Sequence, residues 1–212
     1  MSTGPRVLAV MAALGLVVAC GFWPERERGP GLLYQGTELA GEAPDFRLVD
    51  QEGRAVALRD FRGRVVVLTF LDTRCDETCP LTAAELRRAH RMLGEDAGEV
   101  AFLGVNVNGV FNRQEDVQAF TVQHRLHEIG GWHFLTGARE GLEGVWKDYA
   151  IAVEAQPGEE DFLHTPGVFL IDQRGQLRRY LSVPLQPEGL ATPWEGPGLA
   201  EALAGQVEAL LP

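Results

Sequence analysis

Residues 65–80 read VVVLTFLDTRCDETCP, and the rest of the chain is organised around them. Val65, Val66, Val67, Leu68, Thr69 and Phe70 form an apolar, β-branched run, which predicts a buried strand. The run breaks into a polar turn. It then delivers Cys75 and Cys79, four residues apart, at the start of a helical pattern that continues through Leu81, Leu86, Ala89 and Leu93. Positions i and i+4 of a helix share one face, roughly 5–6 Å apart. Two sulfurs at that spacing can join as a disulfide or pinch one soft metal ion. A helix N-terminus favours thiolate over thiol, which makes the outer sulfur reactive. Pro80 falls in the first turn, where its missing N–H costs little. The competing expectation is a pair of core cysteines or a structural disulfide, neither of which needs a strand–loop–helix junction.

The chain has 212 residues and is 45% hydrophobic, enough for one domain with a real core plus extensions. Its formal net charge is −11. That balance argues against nucleic acid, whose binding needs clustered Lys and Arg. The nearest thing to a basic cluster, Arg87, Arg88 and Arg91, reads as a solvated helix face. The acidic surface mainly favours solubility.

The N-terminus, MSTGPRVLAVMAALGLVVAC, has one Arg followed by an apolar run from residue 7 to 19. That run is too short to span a bilayer comfortably and has the make-up of an export signal. Val17-Val18-Ala19-Cys20 resembles a bacterial lipobox, which implies cleavage before Cys20 and lipid on that cysteine. An uncleaved anchor and an ordinary signal peptide are the alternatives. Each places the globular part outside the cytoplasm, where disulfides persist. Residues 21–42 are rich in Gly, Pro and charge and read as a flexible tether, with the folded domain running over 43–212.

Short strands are expected at 46–49 and 55–58, forming a hairpin. After the cysteine helix (80–94), a second buried strand is expected at 100–107, making a parallel strand–helix–strand unit. Residues 114–127 have helical spacing. His124 and His127, three apart on it, have no acidic or thiol companion nearby and are expected on a solvated face. His90 and His133 are likewise expected to be ordinary histidines. A short strand at 132–135, a helix over 140–149, an extended piece at 150–154 and a loop at 156–161 follow. A strand at 167–172, an antiparallel return at 176–181, an irregular run at 183–197 and a helix at 199–211 complete the chain.

This order resembles the thioredoxin-like fold: α/β, a central mixed sheet flanked by helices, here with an N-terminal β-hairpin extension. The opening APDFRLVDQEGRAVALRDFRGRVVVLTF (43–70) resembles the start shared by many redoxin and Sco-type domains. Cys75-Asp76-Glu77-Thr78-Cys79-Pro80 is similar to the CxxxCP motif of the Sco (SenC) family of cytochrome oxidase assembly proteins, whereas thioredoxins and the exported TlpA and ResA reductases use CxxC. WHFLTGAREGLEGVWKDYAIAVE (132–154) also looks like the Sco pattern. His164 lies five residues before the aromatic of FLID (169–172), as the Sco copper-binding histidine does. The resemblance covers roughly residues 40–185 and implies copper held by Cys75, Cys79 and His164. Two thiolates and an imidazole suit Cu(I), and oxidation of the pair to a disulfide would gate the site. It also implies metal delivered to, or cysteines reduced in, the copper-site subunit of cytochrome c oxidase, with a thiol-disulfide reductant as partner. The export signal places the domain on the outer face of the bacterial cytoplasmic membrane, and nothing in the sequence requires more than a monomer.

Three positions depart from the Sco pattern. The Asp that usually precedes the histidine is Leu163, with Asp161 further back. The VDP-type segment is Val105-Asn106-Val107-Asn108. Pro166 sits where thioredoxins place a cis-proline, which if cis would fix this loop against the cysteines. The rival reading is a thiol-disulfide oxidoreductase in which Cys75 attacks, Cys79 resolves and His164 is incidental. A third keeps only the fold and a stabilising disulfide. A peroxiredoxin wants Thr three residues before its reactive Cys, where this chain has Asp72.

Overall fold

Residues 65–71 are apolar but for Thr69, a run that suits a central strand covered on both faces. In the computed structural model, which describes residues 36–155, 160, 162–182 and 198–212, β4 (Val65–Leu71) is buried at every position. Ahead of it run β1 (Thr37–Glu38), β2 (Arg47–Val49) and β3 (Ala55–Ala57). After it come α1 (Thr78–Leu93), β5 (Val100–Asn106), α2 (Gln114–Gln123), β6 (Trp132–Leu135) and α3 (Arg139–Asp148). The chain continues through β7 (Val153–Ala155), β8 (Phe162–His164), β9 (Val168–Ile171), β10 (Leu177–Leu181) and α4 (Leu199–Glu208).

The main sheet has six strands in the order β1-β10-β9-β4-β5-β6. β4 pairs parallel with β5, Val65 opposite Val100 through Leu71 opposite Asn106, and antiparallel with β9. β6 extends the parallel side beyond β5. The expected mixed sheet is present, and the N-terminal hairpin forms as its own pair, β2 with β3. The sheet reaches back beyond the expected boundary at Ala43, because Thr37 and Glu38 pair with Tyr180 and Arg179. Cys20 and the run 183–197 lie outside the described residues.

Alternation along the strands divides the core in two. Val65, Val67, Leu71, Phe102 and Phe134 face α1, α2 and α4. Val66, Leu68, Phe70, Leu103 and Leu135 face α3 and the hairpin. α1 buries Cys79, Thr82, Ala83, Leu86, Ala89 and Leu93, the i, i+3, i+4, i+7 stripe of an amphipathic helix. It packs against α4, which buries Leu199, Leu203 and Val207.

α2 ends at Gln123, not at His127, because Arg125 turns into the left-handed region (φ 55°) and a separate single turn follows. His124 and His127 therefore do not share a helix face. His124 is half-buried against the Phe120 ring, 4.2 Å between centroids, and His127 is exposed.

One polar atom within the core fixes the approach to β9. Thr69 Oγ1, on a residue only 1% exposed, donates to the Gly167 carbonyl at 2.9 Å. Gly167 must lack a side chain, since a Cβ there would lie 2.2 Å from the Tyr180 ring. Thr69→Val keeps the shape but orphans that carbonyl. It is expected to lower stability by about 1–3 kcal/mol, read as a lower urea midpoint at unchanged slope.

Candidate metal and redox site

The cysteines sit where β4 gives way to α1, and Asp72 sets the turn. Its carboxylate Oδ1 accepts the Arg74 amide at 2.7 Å and its carbonyl accepts the Cys75 amide at 3.4 Å. An Asp that satisfies nearby backbone donors in this way competes with helix formation. Consequently α1 begins only at Thr78, and Cys75 stands in the turn before it. The expected placement of both cysteines on one helical turn is corrected: Cys79 is on the helix and Cys75 is not. Cys79 is 2% exposed, and Cys75 is half-buried and more accessible. Both are free thiols.

The two thiols titrate far apart. The Cys79 thiol donates to the Cys75 sulfur, and this is the main reason the Cys75 pKa falls to about 5. Burial opposes the fall, while the Cys79 and Glu77 amides and the Thr78 hydroxyl, 3.7 Å away, assist it. Cys79 is pushed up, first by that same hydrogen bond, then by burial and the Cys75 charge. Cys75 is thus the thiolate at neutral pH, and Cys79 keeps its proton.

His164 arrives on a strand, not on a loop. It is the last residue of β8, paired with Val153 of β7. Thr165 closes this hairpin, donating its amide to the Ala152 carbonyl at 3.0 Å and accepting the Ala152 amide on its hydroxyl at 3.1 Å. The His164 Nδ1 lies 3.1 Å from the Thr165 carbonyl, which can only accept, so Nδ1 carries the proton. The Nε2 lone pair then faces the Cys79 sulfur at 3.9 Å. Burial pushes the imidazole pKa down, against the Thr165 carbonyl and the Asp72 and Cys75 charges, so the ring is neutral at pH 7.

Pro166 follows directly. Its carbonyl accepts the Tyr180 hydroxyl, and the Thr165–Pro166 peptide is trans, since no cis bond occurs among the described residues. The condition attached to a cis-proline is therefore not met. Among the described residues no three His, Cys, Asp or Glu side chains stand as a closed metal cage. What the fold brings together is Cys79 with His164, and Cys75 with Cys79.

Two of the other histidines have hydrogen-bonding partners. His133 Nδ1 lies 3.1 Å from the buried Asp50 carboxylate, and His90 Nε2 accepts the Gly130 amide at 3.0 Å.

Sequence reading passed over the polar network behind the cysteines. Asp72, fully buried, also accepts from Asn108 Nδ2 (2.8 Å) and, on Oδ2, from the Phe162 amide (2.5 Å). Burial raises its pKa against these hydrogen bonds. Asn108 Nδ2 also donates to the Glu160 carbonyl at 2.7 Å, and Asn108 Oδ1 accepts the Val110 and Phe111 amides. In the sequence Asp72 stands out only as the residue three before Cys75 that is not threonine. Leu163, in the place of the usual Asp, is 61% exposed.

The SCO1/SenC family model matches residues 35–194. Three solved structures share the fold at under 25% identity. A SCO1/SenC family lipoprotein from Bacillus anthracis str. Ames superposes with a TM-score of 0.65 at 24% identity, over 82% of this chain and 97% of that one. Bradyrhizobium japonicum ScoI with copper bound gives 0.60 at 23% identity, over 81% and 100%. BsSco, a member of the Sco family of cytochrome c oxidase assembly proteins in which a disulfide switch has been identified, gives 0.61 at 19% identity, over 82% and 96%. The family match spans well over half of the chain, and the chain belongs to the SCO1/SenC family.

Proposed function

We propose that this chain is a copper-carrying Sco protein that holds copper as cargo on Cys75, Cys79 and His164. It passes the metal to the copper-site subunit of cytochrome c oxidase. One observation carries the reading: a neutral His164, its proton fixed on Nδ1, turns a free Nε2 lone pair to the Cys79 sulfur at 3.9 Å. Two ligands of one ion with bonds near 2.0 Å to nitrogen and 2.3 Å to sulfur lie about 3.7 Å apart at 120°. The donor set of two sulfurs and an imidazole is soft enough for Cu(I).

On this reading residues 1–20 are a signal peptide ending in lipidated Cys20. The upstream tether leads to the thioredoxin-like domain, which works as a monomer on the outer face of a bacterial cytoplasmic membrane. No helix among the described residues is long and apolar enough to cross a membrane. A thiol-disulfide reductant returns the cysteines to the dithiol. The test is anaerobic Cu(I) competition on the reduced protein. One-to-one binding weakened by at least about tenfold in His164→Ala supports the reading. Equal binding by wild type and variant removes His164 from the ligand set.

The Cys75 thiolate favours a second reading, thiol-disulfide exchange with Cys75 attacking and Cys79 resolving. Exchange survives His164→Ala, and copper carriage does not. The same variant separates the two.

A further inference from the structure

We propose that Asp72 is a positioning residue that latches the His164 hairpin to the cysteine turn, so that His164 reaches Cys79 only while Asp72 accepts the Phe162 amide. This deepens the copper reading and rests on it. Three N–H groups converge on one fully buried carboxylate: Arg74 from the cysteine turn, Asn108 from the loop after β5, and Phe162 from the first position of β8. Phe162 and His164 are the two ends of the same three-residue strand. The distance between Asp72 and Phe162 therefore sets how far the imidazole can stand from the helix that bears Cys79. Asp72 also touches that helix directly, its amide donating to the Cys79 sulfur at 3.5 Å.

Val153 packs against the core and ties the far end of the hairpin, but at the Phe162 end little besides Asp72 holds it. Phe162 is only half-buried, Leu163 is exposed, and the Arg74–Glu160 ion pair is open to solvent at 45% and 61% exposure. Exposed pairs of that kind contribute little. Asn108 adds one bond to the Glu160 carbonyl, and Asn108 is itself oriented by Asp72. An amide at position 72 cannot replace the carboxylate. Three donors need acceptors on both terminal atoms, and asparagine offers one oxygen and an NH2 that faces donors.

The experiment is a double-mutant cycle on the full-length reduced protein, with Asp72→Asn and Asp72→Ala each made in wild-type and His164→Ala backgrounds. Cu(I) affinity and hydrogen exchange at the Phe162 amide are both read. In the wild-type background either substitution is expected to weaken copper by about 10–100-fold and to abolish Phe162 protection. In the His164→Ala background neither is expected to change affinity by more than about twofold. Equal losses in both backgrounds overturn the latch and make Asp72 a support of the cysteines. Wild-type affinity with intact Phe162 protection also overturns it. Should Asp72→Ala fail to fold, the near-isosteric Asp72→Asn decides. Should His164→Ala leave copper affinity unchanged, the ligand reading has failed. The Phe162 amide then decides the latch alone, lost protection in Asp72→Asn supporting it and retained protection refuting it.

Discussion

Cys75→Ser and Cys79→Ser are each expected to weaken Cu(I) binding by more than the 10–100-fold or so that groups outside the ligand set cost. A thiolate gives Cu(I) a soft anionic donor, whereas a serine hydroxyl is hard and stays protonated at neutral pH. The two substitutions test different places. Cys79 is deeply buried at the start of α1 with His164 at 3.9 Å, so its loss removes the sulfur that faces the imidazole. Cys75 carries the charge and is the more accessible, so its loss removes the sulfur a partner meets first. Competition titration under anaerobic conditions reads both. A variant that stays within about tenfold of wild type takes that cysteine out of the ligand set.

The second large effect is a displacement along the pH axis. Alkylation of Cys75 should follow its thiolate, with a midpoint near pH 5 in place of the ordinary value of 9.0. The rate is flat from neutral pH upward and falls only as the solution becomes acid, because the folded state holds the charged form below its usual range. Intrinsic nucleophilicity drops as the pKa drops, so the profile and not the rate at pH 7 is the signature. The leading cause is the hydrogen bond from Cys79, so Cys79→Ala should move the midpoint back up. Iodoacetamide kinetics followed by mass spectrometry measure this. A midpoint near 9 in the wild type would mean that Cys79 does not hold Cys75 as the thiolate.

The elements that bury themselves through local pattern were legible in the sequence. The apolar runs of β4 and β5 announce central strands, and the stripe from Ala83 to Leu93 announces α1. The pairing of Cys75, Cys79 and His164 followed from family resemblance, and the fold does bring Cys79 and His164 together across 85 residues. What the pattern did not carry was local competition and distant pairing. Helical spacing put Cys75 and Cys79 on one turn, but Asp72 gathers the nearby amides and leaves Cys75 in the turn ahead of α1. Helical spacing also ran α2 through His127, but Arg125 breaks the path with a left-handed residue that no glycine signals. His164 looked like a loop residue because its strand exists only through pairing with Val153. Asp72 was visible only as a residue that was not threonine. Its meaning depends on an amide 90 positions away.

The sequence separation of the proposed ligands has a consequence for folding. Cys75 and Cys79 are only four residues apart in the chain, whereas His164 is 85 residues from Cys79 and meets it in a fold where β9 pairs with β4 and Thr69 meets Gly167, 98 positions on. Closing such a contact is among the slower events available to a chain. An unfolded chain therefore already offers copper two sulfurs, and metal bound there gives no preference for the native state. On the copper reading, metal stabilises the fold by the margin of the native site over the unfolded cysteine pair, a margin that both His164 and the lowered Cys75 pKa widen. On that reading the imidazole is the donor that copper gains only once the chain has folded.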